Sequence, residues 1–286
     1  MNAHGRKWRL ALVAAVFATA IACGSDTAVT DPGSTAPPPP PPPPPPAAVL
    51  LKDVVIDRLP SPFYHFDYDA TGTVIAVSYA SELTSYEVSY LGGRIKEMRN
   101  NGVVNHDRLV YAYDDVGRVA GIRYVDANGV TFTVVVYSYD GAQLTGVERD
   151  RRSGNTFVID KTIALSYYPD GNLRELAEHR PAIDGLQDET SSVTSFEQYD
   201  SGINVDGFGL IHDDFFDHFV FLPAVRLQKN NPGRETRTGD GLHYSVAYTY
   251  AYDAAGKPIT KRGDGTITNG DQAGTRFQTG SAFSYY

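Results

Sequence analysis

A Tyr-x-Tyr-Asp segment that runs into a Gly recurs along this chain, and no other feature constrains its fold as strongly. The copies begin with Phe66-Asp-Tyr68-Asp69 before Gly72, Val88-Ser-Tyr90 before Gly93, Tyr111-Ala-Tyr113-Asp114 before Gly117 and Tyr137-Ser-Tyr139-Asp140 before Gly141. They continue with Tyr167-Tyr168-Pro-Asp170 before Gly171, Tyr199-Asp200 before Gly202 and Tyr250-Ala-Tyr252-Asp253 before Gly256. Taking Tyr168 as the second tyrosine of its copy, successive second tyrosines are 22, 23, 26, 29, 31 and 53 residues apart. Only the last interval breaks the period, and a sustained period marks a structure built from one repeated unit.

The unit has the chemistry of a chain reversal. Asp bonds its own backbone within a turn, and Gly enters φ > 0 without steric cost. Tyrosines at i and i+2 share one face of a strand. Neighbouring copies can therefore align aromatic rungs, each cross-strand pair contributing about 0.2 to 1 kcal/mol. Nineteen tyrosines against one tryptophan suit such half-buried pleated surfaces. A unit of this length holds two strands and two turns, which predicts an all-β antiparallel meander of about fourteen strands, strongly curved or partly closed into a barrel-like sheet.

The strands that leave the turns carry closely spaced charges, as in Arg94-Ile-Lys-Glu-Met-Arg99 and Asn172-Leu-Arg-Glu-Leu-Ala-Glu-His179. A transmembrane barrel needs an apolar outward alternation that these strands lack. The formal charge of −9, with no basic stripe, argues against a nucleic-acid partner. It also disfavours adsorption to anionic lipid, so attachment to a membrane would need a covalent anchor.

The first residues supply a candidate for that anchor. Arg6, Lys7 and Arg9 precede a 13-residue apolar run from Leu10 to Ala22, and Cys23-Gly24-Ser25 follows. This is the layout of a signal peptide over residues 1–22, too short for the roughly 20 residues of a spanning helix. Its removal would take the formal charge to about −12, because all three of its charged residues are basic. Residues 23–50 then read as anchor and linker, with ten consecutive prolines from Pro37 to Pro46. As a polyproline II rod that run spans about 30 Å. Cys23 is the single cysteine of the chain, which excludes disulfides within it and thiolate clusters.

Ala20-Ile21-Ala22-Cys23 resembles the bacterial lipobox, with Ala20 where Leu is usual, and the resemblance implies acylation of Cys23. Gly24 stands where an Asp would resemble an inner-membrane retention signal, so the outer membrane is expected. Tyr113-Asp-Asp-Val-Gly-Arg-Val119 resembles the YD repeats of Rhs-type and teneurin-type proteins, whose hairpins spiral into a shell. Residues 55–286 as a whole resemble a family of uncharacterised bacterial lipoproteins, common in Bacteroidota, with a porin-like β fold. The matching features are the lipobox, the hairpins, the late strand Tyr248 to Gly256 and the Asn-Pro segment Leu222 to Pro232. The resemblance implies an envelope location and a fold, and no activity.

The long interval contains the one stretch unlike a hairpin, Asp206 to Leu222. His212, Asp214 and His218 could offer nitrogen and oxygen ligands to a metal, and a hydrolase site near His212–His218 is one reading. Phe215, Phe216, Phe219 and Leu222 instead follow helical spacing, which predicts a short helical plug or cap near 210–222. Tyr248, Tyr250 and Tyr252 form the densest tyrosine stripe and are the candidate platform for a glycan or an envelope protein. Gly-x-Ser-x-Gly, P-loop and His-Glu-x-x-His motifs are absent, and no cofactor is implied. The expectation is a non-enzymatic binding or structural module, with an envelope hydrolase and a Rhs-like shell as alternatives.

Overall fold

The computed structural model describes residues 49–102, 106–205, 220–223 and 225–286. The signal and linker segments, Cys23, and the candidate ligands His212, Asp214 and His218 lie outside the described residues.

Sixteen strands form one closed antiparallel barrel in which each strand pairs with its neighbours in sequence. They are β1 (Leu51–Ile56), β2 (Tyr64–Tyr68), β3 (Val74–Tyr79), β4 (Thr84–Leu91), β5 (Arg94–Asn100), β6 (Arg108–Tyr113), β7 (Val119–Val125) and β8 (Thr131–Asp140). The second half comprises β9 (Gln143–Ser153), β10 (Thr156–Tyr167), β11 (Leu173–Arg180), β12 (Thr190–Glu197), β13 (Arg234–Gly239), β14 (Tyr244–Tyr252), β15 (Pro258–Ile267) and β16 (Arg276–Tyr285). Pairing of β16 with β1, from Tyr285 opposite Leu51 to Ser281 opposite Ile56, closes the ring. The sheet is thus fully closed and has sixteen strands where the repeat length suggested about fourteen. Closure removes the unpaired edge that a curved open meander would expose.

Turn chemistry follows the sequence reading closely. In the turn after β6, Asp114 Oδ1 accepts the N–H groups of Val116 and Arg118 at 3.1 and 2.8 Å. The Gly117 N–H bonds the Asp114 carbonyl at φ +89°, a conformation that L side chains rarely adopt. Asp69 and Asp253 hold their turns by the same pair of side-chain bonds. Bonds from Thr71 and Thr73 keep the Asp69 carboxyl below its ordinary pKa, so the turn is set at neutral pH.

One residue past each of six of these turns the ladder slips. Tyr113 faces Val119 while Ala112 faces Gly121, leaving Ala120 as an extra residue on the returning strand. The same slip occurs at Tyr68, Tyr90, Tyr139, Tyr167 and Tyr252. A bulge adds local twist and re-aims the side chain beside it. Here that side chain is always the tyrosine next to the turn.

Most inward positions of β2 to β10 are apolar, including Phe66, Tyr86, Ile95, Met98, Leu109, Ile122, Leu144 and Leu165, all buried, while Thr133, Arg149, Asp160 and Lys161 are buried polar exceptions. A sixteen-stranded ring is wide enough to leave a water-filled channel unless something fills it. Large aromatics do part of this. Val220, Phe221, Leu222 and Leu227, between β12 and β13, add to the same core. The Tyr111 hydroxyl fixes this insertion by donating to the Phe221 carbonyl at 2.8 Å. Residues 220–222 plug the interior as expected but are not helical, and 210–219 lie outside the described residues. The only helical element among the described residues is a short 3-10 turn at Gly270–Gln272.

The outward face mixes charged and polar residues with scattered exposed apolar ones such as Ile75 and Val136. Glu87 faces Arg99, Glu148 faces Val136, and Arg262 and Asp264 face Thr249 and Ala247 in mid-strand. A lysine or arginine in the midplane of a bilayer costs a barrel about 2 to 4 kcal/mol, so each of these mid-strand charges would be costly against lipid.

Asparagines latch the returning insertion to the barrel. Buried Asn172 accepts the N–H groups of Lys229 and Asn230 on its Oδ1 at 3.0 and 2.8 Å. Asn231 donates to the Ile203 carbonyl and to the Tyr252 hydroxyl at 3.3 and 3.0 Å. Asn172→Ala leaves two part-buried backbone donors without their acceptor and should lower stability by about 1 to 2 kcal/mol in urea denaturation. Asn172→Asp keeps the acceptor but loses the Nδ2 donations to Asp170 Oδ2 and Asn230 Oδ1 at 3.0 and 3.2 Å and sets a second carboxylate against Asp170, so it should recover little of that loss at neutral pH.

Candidate functional site

The bulge tyrosines ring one end of the barrel. Five of them, with Tyr199, Tyr250 and Tyr285, reach across to a backbone carbonyl of the neighbouring strand or turn, whereas the sixth, Tyr252, donates to the Asp200 carboxylate. Tyr68 donates to Leu51, Tyr90 to Val74, Tyr113 to Ile95 and Tyr139 to Val119, at 2.7 to 2.9 Å. Tyr167 donates to Leu144, Tyr199 to Leu173, Tyr250 to Pro232 and Tyr285 to Pro258, at 2.6 to 3.0 Å. Except at Tyr68 and Tyr250, the acceptor is the first or second residue after the preceding turn. The repeat thus does more than reverse the chain: its tyrosine satisfies a carbonyl beyond its own hairpin.

The basic residue that follows Gly in the repeat stacks on the next tyrosine of the ring. The guanidinium of Arg94 lies 5.4 Å from the centre of the Tyr113 ring, and that of Arg118 lies 4.8 Å from Tyr139. Lys257 sits 4.4 Å from Tyr285 in the same relation. Contacts within about 6 Å stabilise both cation and ring. Arg118 is also held by Asp114, Nε to Oδ2 at 2.7 Å, and donates to the Gly141 carbonyl. Among the described residues Arg94 has no carboxylate partner. Its guanidinium instead lies against Gly117, where an added Cβ would come within 2.7 Å of Nη2.

Inside this ring the barrel mouth holds a cavity of about 590 Å³. Its walls are the rings of Tyr68, Tyr90, Tyr113 and Tyr139, and Leu50, Ile95, Leu222 and Val225 complete an apolar lining. Arg94 and Arg118 stand at its edge. Size and composition match those of small-molecule sites, which are mostly apolar with a few placed polar groups.

The opposite end differs in chemistry. Arg149 Nε and Nη2 grip Asp160 at 2.9 and 3.1 Å, and Arg151 Nε joins at 2.9 Å. Arg180 Nε contacts Glu178 at 2.6 Å, with Lys161 Nζ 3.9 Å from the same carboxylate. Glu178, Arg180, Arg237 and Asp240 line a smaller polar cavity of about 390 Å³ there. Asp160 and Glu178 are thus paired with cations, whereas Asp240 Oδ2 accepts the Ser191 N–H at 2.7 Å.

The stripe Tyr248, Tyr250 and Tyr252 lies along the inward side of β14. Tyr248 donates to Glu235 Oε2 at 2.9 Å and carries Lys261 Nζ 4.5 Å from its ring centre. Tyr252 donates to Asp200, and the three rings follow one another at centroid distances of 6.5 and 6.3 Å. The stripe and the mouth cavity are separate, since none of the three lines that cavity. Sequence reasoning singled out this stripe for its density and missed the mouth residues, whose signal was the Arg after Gly93 and Gly117. Among the described residues no three His, Cys, Asp or Glu side chains gather where they could share a metal ion.

Burial pushes the ring-forming hydroxyls of Tyr68, Tyr90, Tyr139 and Tyr167 up to about 12. Unfolded tyrosine ionises near 10, so their stabilising contribution is complete below pH 10 and is lost as pH rises to about 12. An alkaline titration should therefore show tyrosinate absorbance and loss of β circular dichroism rising together in that window. Tyr113→Phe, which frees the Ile95 carbonyl, should cost about 1 to 2 kcal/mol in urea denaturation.

No family model and no curated protein sequence matches the chain. Solved structures do. A porin-like protein from Bacteroides uniformis ATCC 8492 superposes with a TM-score of 0.54 at 13% identity, covering 83% of this chain and 95% of its own. A porin-like protein from Bacteroides vulgatus ATCC 8482 gives a TM-score of 0.53 at 15% identity, covering 83% and 99%. At such identities the likeness is one of fold.

Proposed function

We propose that this chain is an exported bacterial cell-envelope lipoprotein, anchored in the outer membrane through acylated Cys23. On this reading its barrel is a non-enzymatic binding module held out from the membrane by the proline-rich linker, and its ligand enters the tyrosine-ringed mouth. The observation that carries this reading is the polarity of the barrel. Apolar side chains and the Phe221–Leu222 insertion fill the interior of the first half of the barrel, and paired charges such as Arg149 and Asp160 lie buried in the second. Charged residues such as Glu87, Arg99, Arg262 and Asp264 stand in mid-strand outside. A membrane porin has the reverse arrangement, with an apolar exterior and a polar lumen. A barrel with this polarity calls for a separate membrane anchor, which the lipobox-like segment ending in Cys23 would supply.

Two measurements test the proposal. Cells expressing the full chain and fed an alkyne-tagged palmitate should label it, and Cys23→Ala should abolish the label and release the protein from the membrane fraction. Purified protein added to a planar bilayer should give no conductance steps. Stable porin-sized channels, or a membrane-bound and unlabelled Cys23→Ala protein, would contradict the reading.

A further inference from the structure

The geometry points to a single-chain anionic amphiphile, an acyl chain ending in a carboxylate or phosphate, as the ligand of the tyrosine-ringed mouth. This inference rests on the mouth being the binding site and adds the chemical class of what it binds.

The hydroxyls of the four lining tyrosines already donate to the carbonyls of Leu51, Val74, Ile95 and Val119. Their rings therefore present hydrocarbon to the cavity while their O–H groups are spent. Leu50, Val74, Ile95, Phe221, Leu222 and Val225 extend the same apolar surface. A sugar would find few free donors here, whereas an alkyl chain meets apolar wall on several sides. The volume of about 590 Å³ lies well within the range that accommodates small ligands.

The polar end of the ligand is set by Arg94. The nearby turn carboxylates are taken: Asp69 Oδ1 accepts from Thr71 and Thr73, and Asp114 Oδ2 accepts from Arg118. Arg118 is thereby neutralised. Arg94, at the cavity edge, has no carboxylate partner among the described residues, and its guanidinium is positioned by the Tyr113 ring and the bare backbone of Gly117. A planar guanidinium with free N–H groups matches a carboxylate or phosphate, and charge-assisted bonds of this kind are among the strongest available.

Calorimetric titration tests this on the full chain carrying Cys23→Ala, prepared without detergent so that nothing competes for the cavity. Decanoate, decanol and decanoyl lysophosphatidylglycerol are compared, each below its micellar concentration. The inference expects decanoate to bind more tightly than decanol. Arg94→Gln should weaken decanoate about tenfold or more and leave decanol unchanged. Leu222→Trp, which fills the cavity, should abolish binding of both while the circular dichroism stays native. Lysolipid binding that matches or exceeds decanoate and depends on Arg94 assigns the ligand to membrane-derived lipid; weaker lysolipid binding assigns it to free acids. Equal affinities for decanoate and decanol, no effect of Arg94→Gln, or no binding by a folded protein would overturn the inference. Acylation of Cys23 and absence of conductance are read separately, so that failure would leave the anchored, non-conducting reading standing.

Discussion

The hydrogen bond from a ring tyrosine to a backbone carbonyl of the neighbouring strand or turn is the contact on which the rest of the barrel depends. Six hairpins carry a bulge beside the turn, and a bulge sacrifices ladder bonds for twist. An unsatisfied carbonyl at a partly buried rim would cost a kcal/mol or more each time. The tyrosine satisfies a carbonyl beyond its own hairpin, and its ring then becomes the wall of the mouth and the seat for the next basic residue. One sequence unit therefore reverses the chain, bends the sheet, satisfies the backbone and builds the cavity. That is a physical reason for Tyr, Asp, Gly and Arg to stand together in the repeat.

A second consequence concerns what kind of barrel this is. The fold is shared with porin-like structures, yet the distribution of polarity is that of a globular protein turned around a closed sheet. Ile122 and Arg123 are adjacent in β7 and show it plainly: the first is buried in the core, the second exposed to solvent. Strand side chains alone would not fill a ring of sixteen strands, and Val220, Phe221, Leu222 and Leu227 from the interval between the last two repeats add to the fill. Its return is held by Asn172 and Asn231, which explains an Asn-Pro segment that no hairpin logic accounts for.

The architecture was legible in the sequence because hairpin chemistry is local. Asp114 and Gly117 specify their turn whatever surrounds them, and the period of the tyrosines gives the strand order. Full closure was not legible, because it depends on Tyr285 and Leu51, which are far apart in sequence and outside any repeat. The alignment of the fifth unit was also misleading. Tyr167, not Tyr168, occupies the ring position, since Tyr168 stands where other copies have Asp and bonds its turn through the backbone. The mouth could not be read either, for the stacking of Arg94 on Tyr113 joins two different repeats. Density of tyrosine pointed instead to Tyr248, Tyr250 and Tyr252, whose hydroxyls serve Glu235, Pro232 and Asp200.

The polarity of the barrel is the central claim, and cysteine accessibility addresses it directly because Cys23 is the only native thiol. In a Cys23→Ser background, single cysteines at Ile122 and at Arg123 are exposed to a water-soluble maleimide with the protein native. The account predicts rapid modification at 123 and protection at 122 until the barrel unfolds. Rapid modification at 122 with protection at 123 would mean a wet lumen and a covered exterior, and would contradict it.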